Sequence, residues 1–287
     1  MKIICENFGA LFIVATPIGN LQDITLRALD TLKQVDLIAA EDTRHSGKLL
    51  SHYGVKTKLI ALHDYNESKC SQFICEQLKQ GKNIALISDA GTPLISDPGY
   101  HLVNIVREHG YKIAPIPGAC AAIAALSASG MPTDKFLFLG FLPAKSSQQI
   151  KHLEELVDQS CTLIFYESPH RLLQTIKNMA QVFGKERQVV LGKELTKTFE
   201  TIYTTTLSQL QEWLIADTDR QKGEFVILVH GATKIIEVDA EIIRILQILA
   251  KDLSSKQAAT IAAQITGVNK NQLYKLLLEL GCPIKEA

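Results

Sequence analysis

Short apolar runs that alternate with amphipathic stretches constrain this chain more than any other feature. Leu11–Ala15, Asp36–Ala40, Lys58–Leu62, Asn83–Ser88 and Lys112–Ile116 read as strands. Thr25–Gln34, Glu67–Gln80 and Tyr100–His109 between them carry helical periodicity. A strand followed by a helix, repeated, argues for a largely parallel sheet with helices on both faces. Asp97-Pro98 and Ser168-Pro169 each set a capping side chain before a proline suited to a first helical turn, which predicts helix starts there. The pattern breaks at Ser129-Gly130-Met131-Pro132, read as a hinge. Phe136–Gly140, Thr162–Glu167, Gln188–Leu191, Thr201–Thr205 and Glu224–His230 then predict a second, mixed sheet.

From about Thr233 the strand signal stops. Asp239–Lys251, Ser255–Gln264 and Asn269–Leu280 read as three helices. Ser254…Gln257 and Asn269…Gln272 have capping-box spacing, and Gly267 falls where a left-handed turn residue belongs. The expected organisation is therefore an N-terminal α/β domain over 1–130, a second α/β domain over 131–232, and a helix-turn-helix-like module over 233–287.

Composition excludes several classes. The formal net charge is zero, so a nucleic-acid contact must rest on local patches rather than a global field. The six cysteines form no CxxC pair and no zinc pattern, which suits a reducing, cytoplasmic compartment and predicts no metal. No apolar run is long enough for a membrane span.

In open α/β sheets ligands collect beyond the carboxyl ends of strands. Here those ends carry Ala15-Thr16-Pro17-Ile18-Gly19-Asn20, Glu41-Asp42-Thr43-Arg44-His45-Ser46, the stretch from Ser88 to Gly99, and Pro117-Gly118-Ala119-Cys120-Ala121-Ala122. No two glycines are separated by a single residue, so GxGxxG is excluded, and no GxxxxGK[ST] exists. Such turns let backbone groups approach a small ligand without building a phosphate cradle.

The ordered motifs ATPIGNLQDIT, AEDTRHS, SDAGTPLISDPG, IPGACAAIAALSASG, GFLP, YESPHR, GKELTK and KGEFVILV resemble those of the tetrapyrrole methylase-fold family, and within it the bacterial subgroup that methylates small-subunit ribosomal RNA. The resemblance runs from about Leu11 through Val229, and the tail from Asp239 is similar to that subgroup's helix-turn-helix module. It implies S-adenosylmethionine bound between two α/β domains, a homodimer, and methyl transfer to the ribose 2′-OH of a cytidine in the decoding centre of 16S ribosomal RNA. It further implies a cofactor site in which Pro17, Ile18 and Gly19 form the floor and Asp89, Ala90, Gly91 and Thr92 meet the ligand. Ala119, Cys120 and Ala121 would form a small-residue wall, with Tyr166 and Phe225 from the second domain. Tetrapyrrole-modifying relatives carry a Gly-Asp-Pro turn where this chain has Ser88-Asp89-Ala90, which favours the RNA subgroup.

A ribose hydroxyl is a poor nucleophile, so a base assists its methylation. The candidates are Glu41 and Asp42 as acceptors and a desolvated Lys193, beside Glu194, as base. Arg44, His170 and Arg171 are candidate RNA contacts, as are Lys256, Lys270 and Asn271, with Lys275, along the last helices. Each also has a plain structural reading. Glu-Asp can be a charged first helical turn, Lys193-Glu194 a solvated strand end, and Arg171 the partner of a nearby carboxylate, while His63 before Asp64 reads either as an oriented imidazole or as a satisfied loop histidine. Two rival functions use the same sequence: a tetrapyrrole methyltransferase, and a non-enzymatic nucleic-acid-binding regulator with the tail as reader.

Overall fold

The computed structural model describes residues 8–63, 65–232, 240–268 and 270–280. The apolar runs of the N-terminal half are β1 (Ala10–Val14), β2 (Leu37–Ala40), β3 (Leu59–Ala61), β4 (Ile84–Ile87) and β5 (Lys112–Ile116). They form one all-parallel sheet in the order β3-β2-β4-β1-β5. The helices between them are α1 (Leu26–Gln34), α2 (Thr43–His52), α3 (Glu67–Lys79) and α4 (Tyr100–Glu108).

Alternation along β4 shows why both faces are covered. Ile84 and Leu86 enter a core with Ile74 and Leu78 of α3 and Leu102 and Val106 of α4. Ala85 and Ile87 enter the opposite core with Ala28 and Leu32 of α1 and Leu50 of α2. The chain leaves β1 toward β2 on one face and leaves β4 toward β5 on the other. A crevice therefore opens between the carboxyl ends of β1 and β4, the switch point at which ligands bind in such sheets.

α5 (Ala121–Ser129) ends at left-handed Gly130 (φ 70°), where the sequence pattern breaks. The second sheet contains β6 (Phe136–Phe141), β7 (Thr162–Glu167), β8 (Gln188–Lys193), β9 (Thr201–Thr206) and β10 (Phe225–Val229), in the order β6-β7-β10-β8-β9. β6 and β7 are parallel and the remaining pairs antiparallel, so the sheet is mixed as expected. One face packs on α6 (Ser146–Glu154), α7 (Leu172–Phe183) and α8 (Leu207–Ala216). The other face packs Ile164, Val190, Val226 and Leu228 against Ala122, Ala125 and Leu126 of α5 and against Ile18. α5 thereby belongs to both halves, and the two sheets share one compact unit ending at Ala232.

Two predicted helix starts are corrected. α4 begins at Tyr100 after Gly99, and α7 begins at Leu172 after Arg171, neither with a side-chain cap. Pro98 and Pro169 instead lie in the turns that precede these helices.

The second unit has its own core. α9 (Ala240–Asp252), α10 (Ser255–Thr266) and α11 (Lys270–Glu279) bury Leu246, Ala250, Ala258, Ala259, Ala262, Leu273 and Leu277 together. The Ser254–Gln257 capping box is complete on both sides, and Gly267 takes the left-handed turn (φ 73°) between α10 and α11. The capping position expected at Asn269 lies outside the described residues. Among the described residues no helix is long and apolar enough to cross a membrane.

Candidate functional site

The ends of β1 and β4 are tied across the crevice by a short antiparallel bridge. Thr16 N–H donates to the Gly91 carbonyl at 2.8 Å, and Gly91 N–H returns the bond at 3.1 Å. Around this bridge opens a cavity of about 390 Å³. Ile18 comes from the β1 loop, Glu41 from the β2 loop, and the stretches Asp89–Thr92 and Ile95–Asp97 from the loop after β4. Cys120 and Ala121 start α5, and the second sheet supplies Phe141, Tyr166–Pro169, Leu195 and Glu224–Val226.

The conformation of these loops is costly. Leu94 (φ 73°), Ser96 (φ 72°), Glu194 (φ 50°) and Thr196 (φ 64°) are left-handed although none is glycine. All four lie in the two loops that face the cavity from opposite sheets. Such backbone holds only where its surroundings over-determine it, and it clusters at functional sites. Gly91 (φ 85°) is required in the same way, and a Cβ there would stand 3.3 Å from Ile18 Cγ2.

The cavity is acidic and apolar together. Glu41, Asp89, Asp97, Glu167 and Glu224 line it, and no Lys, Arg or His does so among the described residues. Asp89 Oδ1 accepts Asp42 N–H at 3.1 Å. Burial raises Asp97 to about 6, against a hydrogen bond from Ser88, and the charges of Glu41 and Asp89 add to the rise. Tyr166 sets its ring edge toward Phe138 and Phe141 while its hydroxyl accepts Ala122 N–H at 3.1 Å. Burial pushes that phenol well above its ordinary range, so it stays neutral.

Several expected residues meet at this cavity and others do not. Ile18, Asp89, Ala90, Gly91, Thr92, Cys120, Ala121, Tyr166, Phe225 and Glu41 line it. Pro17 is buried and Ala119 half-buried, neither lining the cavity, and the Ala119 carbonyl accepts the Thr92 hydroxyl at 3.0 Å. Gly19 faces the other sheet rather than the cavity floor. A Cβ there would lie 2.4 Å from Lys197 Cγ and 2.9 Å from the Leu195 carbonyl.

Lys193 is corrected. It follows Val189 and Leu191 on the pleat face that packs on α6–α8, and its ammonium donates to the Asp219 carbonyl at 2.7 Å. Asp42 is corrected likewise: its carboxylate caps α2, accepting the N–H groups of Arg44 and His45. Hydrogen bonds from the Arg44 side chain and backbone hold it down at about 2. Arg44 itself is paired with Asp42 on a side chain 90% exposed. Arg171 is no free anion site. It bonds the Leu142 and Pro143 carbonyls and pairs with Glu167, whose side chain is fully buried. Glu167 also accepts from Thr175 Oγ1 at 2.6 Å and Ser168 N–H at 2.7 Å. His170 is exposed, and so are Lys256, Lys270, Asn271 and Lys275 in the second unit. The Nδ1 of His63 is buried and has no hydrogen-bond partner among the described residues, and Asp64 beside it lies outside them.

Ile95, Ser96, Asp97, Phe141, Glu167, Ser168, Pro169, Leu195, Glu224 and Val226 line the cavity without having been assigned to it from the sequence. All ten fall inside the motifs that carry the resemblance; what the motifs lack is which side chain turns inward.

Comparison with known proteins follows this geometry. The family model for tetrapyrrole (corrin/porphyrin) methylases matches residues 10–211, and that for the RsmI C-terminal HTH domain matches residues 236–281. The ribosomal RNA small subunit methyltransferase I of Haemophilus influenzae is 56% identical over 93% of this chain and 95% of its own length. That of Escherichia coli O157:H7 is 52% identical over 94% and 95%. Among solved structures, diphthine synthase superposes with a TM-score of 0.59 at 15% identity, covering 78% of this chain and 91% of that one. Uroporphyrin-III-C-methyltransferase from Thermus thermophilus gives 0.53 at 18%, covering 77% and 94%; both likenesses establish the fold alone.

Proposed function

The chain belongs to the tetrapyrrole methylase family, among the ribosomal RNA small subunit methyltransferases I, and from that premise we propose that it methylates the ribose 2′-OH of a cytidine in 16S ribosomal RNA with S-adenosylmethionine as donor. The observation that carries the reading is the cavity itself, rich in carboxylates and free of lysine, arginine and histidine among the described residues. A donor bearing a sulfonium and an ammonium suits that field, whereas a phosphate-bearing cofactor does not. Ile18, Leu195, Val226 and the Tyr166 ring offer apolar surface for an adenine, and Gly91 keeps the space beside Ile18 open. Asp89, Thr92, Cys120, Ala121 and Phe225 complete the residues that would hold the donor.

Bound there, the donor supplies an electrophilic methyl group. The protein's part is to fix the acceptor in line, worth roughly 7–11 kcal/mol in ideal cases, and to exclude water through Phe141, Tyr166 and Leu195. An acidic cavity repels the RNA backbone, so the phosphates are held outside it. Exposed Lys256, Lys270, Asn271 and Lys275 of the helical unit suit that task, as do exposed His170 and Arg44. The helical module, matched by the model for the RsmI C-terminal HTH domain, favours an RNA acceptor over a tetrapyrrole. A homodimer, implied by the resemblance, belongs to the same reading.

The test uses small ribosomal subunits from cells lacking this protein, incubated with the purified chain and isotopically labelled S-adenosylmethionine. Nucleoside mass spectrometry should find label in 2′-O-methylcytidine. Label in a methylated base, or none in RNA, refutes the proposal.

A further inference from the structure

The carboxylates of the cavity wall differ in what already engages them. Asp89 takes the Asp42 N–H, Glu167 is bound by Thr175, Ser168 and Arg171, and Glu224 pairs with Lys197. Asp97 has a different setting: it lines the cavity near the Ser88 hydroxyl, within reach of the like charges of Glu41 and Asp89. Glu41 comes from the loop after β2, Asp89 from the loop after β4, and the neutral Tyr166 phenol of β7 faces the same group from the second sheet.

The turn that carries Asp97 is built at a cost. Leu94 and Ser96 are left-handed, and Gly99 adopts φ 126° with its missing Cβ only 2.7 Å from Leu86 Cδ2. A side chain at 99 would be strained by this backbone and would press on the Leu86 side chain. Left-handed backbone at non-glycine residues is strained, and nothing in helix capping requires it here, because α4 starts without a side-chain cap. What the turn accomplishes is to present a half-buried carboxyl to the cavity.

We propose that Asp97 is the proton acceptor for the substrate hydroxyl. The inference rests on the methyltransferase reading above and adds a residue to it. As the new O–CH₃ bond forms, the O–H bond breaks and its proton passes to the Asp97 carboxylate. The electron pair of the breaking C–S bond stays on the donor sulfur and cancels its positive charge. Asp97 then returns the proton to solvent when the products leave. Its raised proton affinity makes it a stronger base than an ordinary carboxylate while leaving it ionised at neutral pH.

The test uses the full-length protein and unmethylated small ribosomal subunits. Single-turnover rates of the wild type should rise with pH through about 6 and then level. D97N should be slower by roughly 10²–10⁴ and lose that rise, while binding S-adenosylmethionine at pH 8 within about threefold of wild type by calorimetry. A readout independent of turnover is the carboxyl ¹³C resonance of aspartate-labelled protein. One signal should titrate near 6, vanish in D97N, and move to lower pH in E41Q as a neighbouring negative charge is removed. A D97N protein that keeps the rise at normal rate overturns the proposal, as does a signal near 6 that survives D97N. Equal loss of donor affinity and rate makes Asp97 a binding residue and overturns it too. Wild-type protein that binds the donor yet leaves RNA unmethylated sinks the functional reading itself, which the variants then distinguish from a failure of Asp97 alone.

Discussion

Replacing Gly19 with alanine tests how the two sheets are fitted together. The added methyl would meet Lys197 Cγ at 2.4 Å, and the Leu195 carbonyl and Thr196 Oγ1 at 2.9 Å each. The lysine stem can swing away, but a backbone carbonyl cannot without moving its loop. Ordinary contact requires a retreat of roughly 0.5–1 Å. The loop resists through left-handed Glu194 and Thr196, the Asn20 N–H bond to Thr196 Oγ1 at 3.1 Å, and the Lys197 bridge to Glu194 at 2.8 Å. Forced overpacking of this kind costs about 1–3 kcal/mol, which for a unit of this size lowers Tm by about 2–12 °C. Leu195 is part of the cavity wall, so its displacement should weaken S-adenosylmethionine binding by at least about tenfold, or 1.4 kcal/mol. Calorimetry on G19A reads the affinity, and a thermal melt reads the strain. Adding K197A removes the Cγ contact and leaves the carbonyl, so it should restore only part of the loss. G19A with wild-type affinity and unchanged Tm would refute the fit described.

Three further outcomes follow from the same geometry. Gly91→Arg should abolish donor binding by calorimetry while thermal unfolding stays cooperative, because the position is left-handed and its side chain would enter the cavity beside Ile18. Arg171→Ala leaves fully buried Glu167 unpaired, so denaturant unfolding should show a loss of about 3–5 kcal/mol; a purely salt-dependent loss of RNA binding at unchanged stability would restore its role as an RNA contact. Asp42→Ala should change single-turnover rates by less than about threefold, since its carboxylate serves the start of α2. Because the folded protein depresses Asp42 to about 2, its stabilisation is complete above the ordinary carboxylate range and fades as pH falls toward 2. The Tm difference between wild type and D42A should accordingly be constant from pH 5 to 8 and shrink in acid.

The strands were legible because pleated and helical periods differ, and because parallel strands buried on both faces read as unbroken apolar runs, as in Ile84–Ile87. α5 was not recognisable as a helix. Its Ala-Ala-Ile-Ala-Ala-Leu-Ser-Ala-Ser sequence carries no amphipathic stripe, since small residues meet protein on several sides. The motifs located the loops around the cavity but not the direction of each side chain. Lys193 was misassigned by strand parity: Val190 points to α5, and a residue three positions on points to the opposite face. Asp97 was misread as a helix cap because no sequence rule anticipates left-handed leucine and serine in one turn. Arg171 was ambiguous between anion site and structural pair until Glu167, four residues earlier, was seen buried beneath it.

The position of β1 in its sheet has a consequence for synthesis. Among the described strands it precedes all the others in the chain, and there it pairs with β4 and β5, Leu11 lying opposite Ile84 and Ile113. At translation rates of about 5–20 residues per second, Ala-Leu-Phe-Ile-Val therefore waits roughly 4–15 s before its first native neighbour exists. Meanwhile β2 and β3 can pair with each other, but the strand that joins them to β1 is still unmade. Through that interval the nascent chain carries an unpaired apolar strand, the kind of segment that holding chaperones bind and that aggregates when they are scarce. The hairpin-like pair β8 and β9, separated by a few residues, faces no such delay. Misfolding under heat or rapid expression should therefore begin in the N-terminal sheet, at the strand whose loop later carries Ile18 to the cavity.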